Sequence, residues 1–474
     1  MPMRIILAGT SGLRKREIAE QFAKTISRQI SASGDEANGA VRILYPEQQI
    51  HMATFLERQT RAQAVQISGS YNSVFENSSR KALRAAKVIL APLHFSFVHY
   101  DRAFTPLSWP PIVDGKTPSI LLDFLRRFRP DYIINLVDDI HHVQQRIRSD
   151  KGFYELRLRE LLKWREFELS IADYCANAII KRKWPDSNLT TDRFERSPIF
   201  PIHHSADVLY RYIFEPHLPR VYVSFPISRV RREVNEKRRS ERVAEINHVV
   251  EMMSDHFAAF NPLTIDEMPL NFLYRQALER SEVDGSPLSD EIPFPSQLRW
   301  STPGNDKLIT DPRVDIPALK MSDLRDVSSV SDQEKRSIIG RQVEARDYRL
   351  IDQSDCVVIY RPTSPPDYNW SRGTRMEYNH AIGAAEYRAF TRIFVIKDKD
   401  VDGPLGEDAP NKNEESPFLV RSRNLDVIDE FGNLDDPKNR ARALTLVIKK
   451  IQESSLDLTR RRRVSKADDT RAFS

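Results

Sequence analysis

Two carboxylates within one stretch of the chain, Asp347 and Glu377, are placed to do chemistry together: "ARDYRLIDQSDCVVIYRPTSPPDYNWSRGTRMEYNHAIGAA". Asp347 falls near the end of a helical pattern that feeds an apolar run, and Asp355 stands at the entry to that run. Beyond its far end, Ser371 and Gly373 open a second helical pattern, with Met376 and Glu377 one turn in. A glycine there permits close backbone approach. The free N–H groups of a helix start favour an anion such as phosphate. A carboxylate one turn along could then reach the sugar of a phosphate held at that end. Such a pair suits chemistry at the anomeric carbon of a sugar: one carboxylate can stabilise or capture that carbon, and the other can manage protons. Neighbouring carboxylates raise each other's pKa, which helps one act as an acid near neutral pH. Neither role needs a metal.

A second set of chemistry-bearing residues lies near the N-terminus, in "ILAGTSGLRKREIAEQF". Gly9, Gly12 and Lys15 hold positions of a phosphate-binding loop of the form G-x-x-x-x-G-K-[ST], but Arg14 replaces the glycine before the lysine and Arg16 the hydroxyl after it. The next buried-strand pattern, "ILAPLH", ends without an acidic residue. Mg²⁺ bridging is central to phosphoryl transfer, so losing both of its ligands argues against kinase turnover. His94, His141, His142, His203 and His204 match no zinc spacing, which predicts solvated or helix-capping roles.

The elements that must position these residues read as α/β. At 474 residues the chain is long enough for two or three domains. It is 40% hydrophobic and 29% charged, a globular balance. No apolar run approaches the ~20 residues needed to span a bilayer. Two cysteines, Cys175 and Cys356, sit in buried-looking patterns. Together with a start lacking a leader pattern, this predicts a cytoplasmic protein without disulfides. The net charge of +5 is concentrated in residues 229–242 and 460–463. Interleaved glutamates read the first of these as a solvated helix face, which argues against nucleic acid as a partner, although its basic groups could meet a mononucleotide phosphate.

Unbroken apolar runs such as "RIILAG", "VILAPL", "YIINLV", "VYVSF", "DCVVIY" and "RIFVIK" alternate with helical patterns. That predicts two Rossmann-like parallel-sheet domains, at residues 1–180 and 220–453. Residues 181–219 read as a linker. Residues 282–323 read as a proline-studded insertion, a lid or disordered, and residues 454–474 as a disordered basic tail.

The segment from "VYVSFPIS" through "DYRLIDQSD" to "SRGTRMEYNHA" resembles the nucleoside 2-deoxyribosyltransferase family and its relatives, the nucleoside 5'-monophosphate N-glycosidases. The resemblance covers roughly residues 221–397. It implies Glu377 as nucleophile and Asp347 as acid/base or orienting carboxylate. It implies that Tyr222, Ser224, Asp355, Gly373 and Met376 line the substrate site and that Ser371 holds a 5'-phosphate. Ser228 and Arg229 would take over phosphate work from the glycine-rich turn of the monophosphate branch. No cofactor is implied, and a homodimer or larger assembly is. The N-terminal half resembles an adenylate or nucleoside monophosphate kinase with a degenerate loop, which implies ATP or another nucleotide as ligand. Three readings stay open for that half: a nucleotide-binding regulatory pseudokinase, a scaffold, or a kinase with rearranged ligands. For the whole chain, the reading is a nucleotide N-glycosidase. The alternatives are a deoxyribosyltransferase, a non-catalytic nucleotide sensor and a nucleotide kinase.

Overall fold

The structure is a computed structural model that describes residues 2–34, 39–47, 80–99, 102–104, 120–149, 156–183, 196–227, 230, 235–265, 267–285, 287–293, 318–328, 337–360, 372–387, 392–397 and 425–471. The chain divides into two compact units. Unit 1 holds Met1–Ala206, Thr264–Arg299 and Asp306–Val343; unit 2 holds Asp207–Leu263, Trp300–Asn305 and Glu344–Ser474.

Unit 1 begins with β1 (Met3–Ala8), α1 (Lys15–Ala32), β2 (Val41–Ile43), α2 (Arg80–Ala85) and β3 (Val88–Leu93). A hairpin of β4 (Phe97–His99) and β5 (Arg102–Phe104) follows, then α3 (Ile120–Phe128), β6 (Tyr132–Val137), α4 (Ile140–Ser149), α5 (Leu158–Lys183) and β7 (Ile199–Pro201). Five strands form one parallel sheet in the order β2-β3-β1-β6-β7. All six residues of β3 and of β6 are buried, as apolar runs covered on both faces should be. The strand order reverses its winding between β1 and β6.

After α6 (Ala206–Phe214), unit 2 takes β8 (Arg220–Ser224), α7 (Glu236–His256) and β9 (Ala258–Phe260). The chain then supplies unit 1 with α8 (Met268–Asp284), a short antiparallel pair, β10 (Glu291–Ile292) and β11 (Leu319–Lys320), and α9 (Met321–Val327). It continues through α10 (Ile338–Asp352), β12 (Cys356–Tyr360), α11 (Arg372–Tyr387), β13 (Arg392–Ile396), β14 (Leu425–Ile428) and α12 (Pro437–Arg471). The second sheet is also parallel, in the order β14-β13-β12-β8-β9, with its winding reversal between β8 and β12.

Side chains of β8 alternate between the two faces of this sheet. Val221 and Val223 join a core with Ile246, Val249 and Met253 of α7 and Leu444, Val447 and Ile451 of α12. Each such residue fully buried contributes about 1.5–3 kcal/mol. Tyr222 and Ser224 therefore face the other side.

The two parallel-sheet domains match the expectation from the sequence; three of its boundaries do not. The region expected as a linker contains β7, the fifth strand of the first sheet. Its three residues include a proline, tolerated because β7 is an edge strand. The region expected as an insertion is not set apart either. Its described residues are the end of α8, the β10–β11 pair and the start of α9, and the whole span 264–299 belongs to unit 1. Buried carboxylates fasten that span and the later 306–343 segment into unit 1. Glu267 accepts two bonds from Arg165 at 2.6 and 3.0 Å and one from the Ile140 N–H at 2.9 Å. Asp323 accepts from Gln144 and Arg148 at 3.1 and 3.0 Å. Finally, α12 continues to Arg471 where disorder was expected. Residues 438–471 contain neither glycine nor proline to stop a helix.

Candidate functional site

In unit 2, the winding reversal between β8 and β12 opens a crevice at the carboxyl ends of those strands, where open α/β sheets hold ligands. Ser224 is the last residue of β8 and is fully buried. Its hydroxyl donates to Glu377 Oε2. Glu377 lies in α11, the helix that follows β12, and is 7% exposed. Asp347 lies in α10 with the same exposure and accepts two bonds from Arg346, at 3.0 and 2.8 Å. The helices α10 and α11 are held side by side: Tyr348 stacks on His380 at 4.1 Å, and His380 Nε2 lies 3.1 Å from Asp352 Oδ1.

Burial, and then the nearby charge of Asp347, push the Glu377 carboxyl up to about 8. The hydroxyl of Ser224 pulls the other way, as does the Arg346 guanidinium. The Tyr222 phenol is fully buried on the same face, without a hydrogen bond of normal geometry, yet close enough to Glu377 to feel it. Burial and the carboxyls of Glu377 and Asp347 hold that phenol well above its ordinary value. The arrangement is thus a carboxyl that stays protonated near neutral pH, a second carboxylate neutralised by its neighbouring guanidinium, and two hydroxyls. That is the composition of a proton-managing and nucleophilic site.

Tyr222, Ser224, Asp347 and Glu377 come together here. Gly373 is exposed in the first turn of α11, and Met376 is half-buried beside Glu377 in sequence. Asp355 is not part of the cluster. It stands at the opposite, amino end of β12, where its carboxylate accepts the Arg220 N–H at 2.8 Å and its own N–H donates to the Arg220 carbonyl at 2.8 Å. Five strand residues at ~3.3 Å each separate that end from the crevice, so Asp355 joins β8 to β12 rather than lining a substrate site. Ser228, Arg229 and Ser371 lie outside the described residues. Arg346 is the site residue that sequence reasoning missed; its one signal is a basic residue next to Asp347. In the basic stretch, Arg242 is committed to Glu245 and Asp435 at 2.6 and 2.8 Å.

In unit 1 the phosphate-type loop is satisfied by its own chain. Lys15 Nζ bonds the carbonyls of Gly9 and Thr10 at 2.5 and 3.0 Å, and burial lowers its pKa to about 8. The buried Glu168 carboxylate accepts the Gly9 N–H at 3.2 Å, the Phe95 N–H at 2.7 Å and the Ser96 hydroxyl at 2.5 Å. Arg14 adopts the left-handed conformation, at φ 50° and ψ 41°, in the position where a loop of this type has glycine. Arg16 points to Glu20 at 3.1 Å and lies over the Tyr45 ring, not toward a metal position.

The five histidines, expected to be solvated or helix-capping, are all buried, which overturns the solvated reading; His141 and His142 do lie in the first turn of a helix. Their spacing hid this because burial follows from strands and helices far apart in sequence. His94 sits where an acidic strand end was sought and bonds Ser11 at 3.1 Å and Glu47 at 2.6 Å. His204 Nε2 lies 3.4 Å from Thr264 Oγ1. Among the described residues, no helix is long and apolar enough to cross a membrane. Compared with known proteins, the chain matches no protein-family model and no curated protein.

Proposed function

We propose that unit 2 is a nucleotide N-glycosidase that cleaves the base–sugar bond of a (deoxy)nucleoside 5'-monophosphate. The observation that carries this reading is the buried Tyr222–Ser224–Asp347–Glu377 cluster at the winding reversal of a parallel sheet. The resemblance of the same residues to deoxyribosyltransferases and monophosphate glycosidases supports it. In the reaction, the proton held by Glu377 passes to Asp347 and from there to the leaving base as the C–N bond breaks, while the Glu377 carboxylate so formed attacks the anomeric carbon and leaves Asp347 ionised. Water, deprotonated by the same group, then releases the sugar phosphate. A transferase would use an acceptor base in place of water. The start of α11 offers N–H groups to the 5'-phosphate. For unit 1 we propose a nucleotide-binding or scaffolding role without phosphoryl-transfer turnover, because Arg16 faces Glu20 where a kinase needs a Mg²⁺-binding hydroxyl. By resemblance, the assembly is a homo-oligomer.

The test is incubation of the full chain with a panel of ribo- and deoxyribonucleotides and nucleosides, with free base resolved chromatographically. Release of base from monophosphates supports the reading. Release only when an acceptor base is added assigns a transferase. No base from any member at high protein concentration overturns both.

A further inference from the structure

The winding reversal of the first sheet, between β1 and β6, carries a second cluster that neither the glycosidase reading nor the phosphate-type loop uses. Asp138 and Asp139 follow β6, His141 and His142 lie in the first turn of α4, and His203 follows β7. All five are buried, from 1% exposed at Asp138 to 7% at His203. His203 Nε2 lies 2.9 Å from Asp138 Oδ1. His142 Nδ1 lies 3.8 Å from that same oxygen and 3.4 Å from Asp139 Oδ2. One ligand atom from each of Asp138, His142 and His203 lies within 4.8 Å of the other two.

Two donors on one first-row ion, each about 2.0–2.2 Å from it, stand roughly 3.0–3.4 Å apart. Asp138 and His203 are already near that spacing, and His142 Nδ1, 3.8 Å from Asp138 Oδ1 and within 4.8 Å of the His203 ligand atom, must move closer to share the ion. Arg146 holds Asp138 Oδ2 and also bonds the Gly12 carbonyl at 2.8 Å. That fixes the carboxylate's orientation and turns Oδ1, which also accepts the Asp139 N–H at 2.7 Å, toward the two imidazoles. Arg165, also near this end of the strand, is committed to Glu267 and to the Asp138 carbonyl. Asp139, His141 and His142 form an overlapping set that shares His142. The set with Asp138 and His203 draws its ligands from the ends of two neighbouring strands and one helix, so the sheet itself presets its spacing.

We propose that Asp138, His142 and His203 bind a divalent first-row transition metal ion, of the Zn²⁺ or Co²⁺ class. Two imidazoles and one carboxylate suit such an ion, whereas Mg²⁺ and Ca²⁺ take oxygen donors. Three protein ligands leave a position open for water or a bound oxyanion, and the crevice beside Gly9 and Thr10 adjoins it. Metal binding here is separable from the chemistry proposed for unit 2.

The experiment uses the full chain stripped with a chelator. It is titrated with Co²⁺ followed by visible absorption, and with Zn²⁺ by calorimetry, with Mg²⁺ as comparison. The expected result is about one equivalent of Co²⁺ or Zn²⁺ bound at micromolar affinity or tighter, displacing each other, with Mg²⁺ failing to compete. His142→Ala and His203→Gln should each weaken binding at least about tenfold, while the exposed His217→Ala leaves it unchanged. If a variant fails to fold, metal-dependent thermal stabilisation of the wild-type chain, absent with Mg²⁺, reports the same site. No binding below about 1 mM, or wild-type affinity in both ligand variants, overturns the proposal.

Discussion

Replacing Glu377 by Gln tests the electrostatics of the candidate site without needing a substrate. The Glu377 carboxyl is fully buried and ionises at about pH 8 in the folded chain, against an ordinary value of 4.5. Below about pH 4.5 it is neutral in both folded and unfolded chains, and its stabilising contribution is fully present. As pH rises toward 8, the unfolded chain gives up this proton and the folded chain keeps it. Stability then falls by about 1.4 kcal/mol per pH unit. Across the window the loss is on the order of 3–5 kcal/mol, nearly complete by pH 9. Glutamine keeps the shape, can accept from Ser224 through its carbonyl, and does not titrate. Glu377→Gln should therefore match the wild type at pH 5 and exceed it by at least about 2 kcal/mol at pH 9. The assay is urea unfolding of both proteins at pH 5, 7 and 9, read on the transition that the substitution shifts, because two units need not unfold together. Titrating groups away from the cluster affect both proteins alike and cancel in the difference, which leaves Glu377 with its neighbours Asp347 and Tyr222. If the two stabilities run parallel from pH 5 to pH 9, the carboxyl is not held neutral by burial and the reasoning fails.

Four further outcomes follow from the same geometry. Asp347→Asn removes a charge that raises the Glu377 pKa, so any activity that needs ionised Glu377 should begin at lower pH in a pH–rate profile; an onset that stays in place or moves up contradicts the coupling. Ser224→Ala removes a hydroxyl that favours the charged form, so the same onset should move up, with kcat/KM falling about tenfold or more at pH 7. At Gly12, φ is 78° and an added Cβ would stand 2.9 Å from the Val143 carbonyl oxygen; Gly12→Ala should cost unit 1 about 2 kcal/mol or more in denaturant unfolding. Arg14→Gly relieves a left-handed arginine and should stabilise unit 1 by about 0.5–1 kcal/mol in the same measurement.

The strands were legible because each buried one is a continuous apolar run, and in β3 and β6 every residue of the run is buried. Glu377 and Asp347 were legible as a pair because the helix, strand and helix that carry them follow one another in one contiguous stretch of sequence. Three things were not legible, each for a physical reason. β7 is too short to show a period. The return of residues 264–299 to unit 1 depends on buried pairs such as Arg165–Glu267, 102 residues apart. The Asp138–His142–His203 cluster exists only because parallel pairing sets β7 beside β6; along the sequence its two histidines are 61 residues apart. Asp355 shows the converse: its place at the entry of β12 was visible, but strand direction puts that entry at the far end from the crevice.

If Glu377 breaks a base–sugar bond, base release by wild type and by Glu377→Ala must differ on the same nucleotide, at equal concentration of folded protein and at pH 8–9, where the carboxylate is available. Measurable release by the wild type and a fall of about 10³-fold or more in the variant are expected. Equal rates in the two proteins would contradict that role for Glu377.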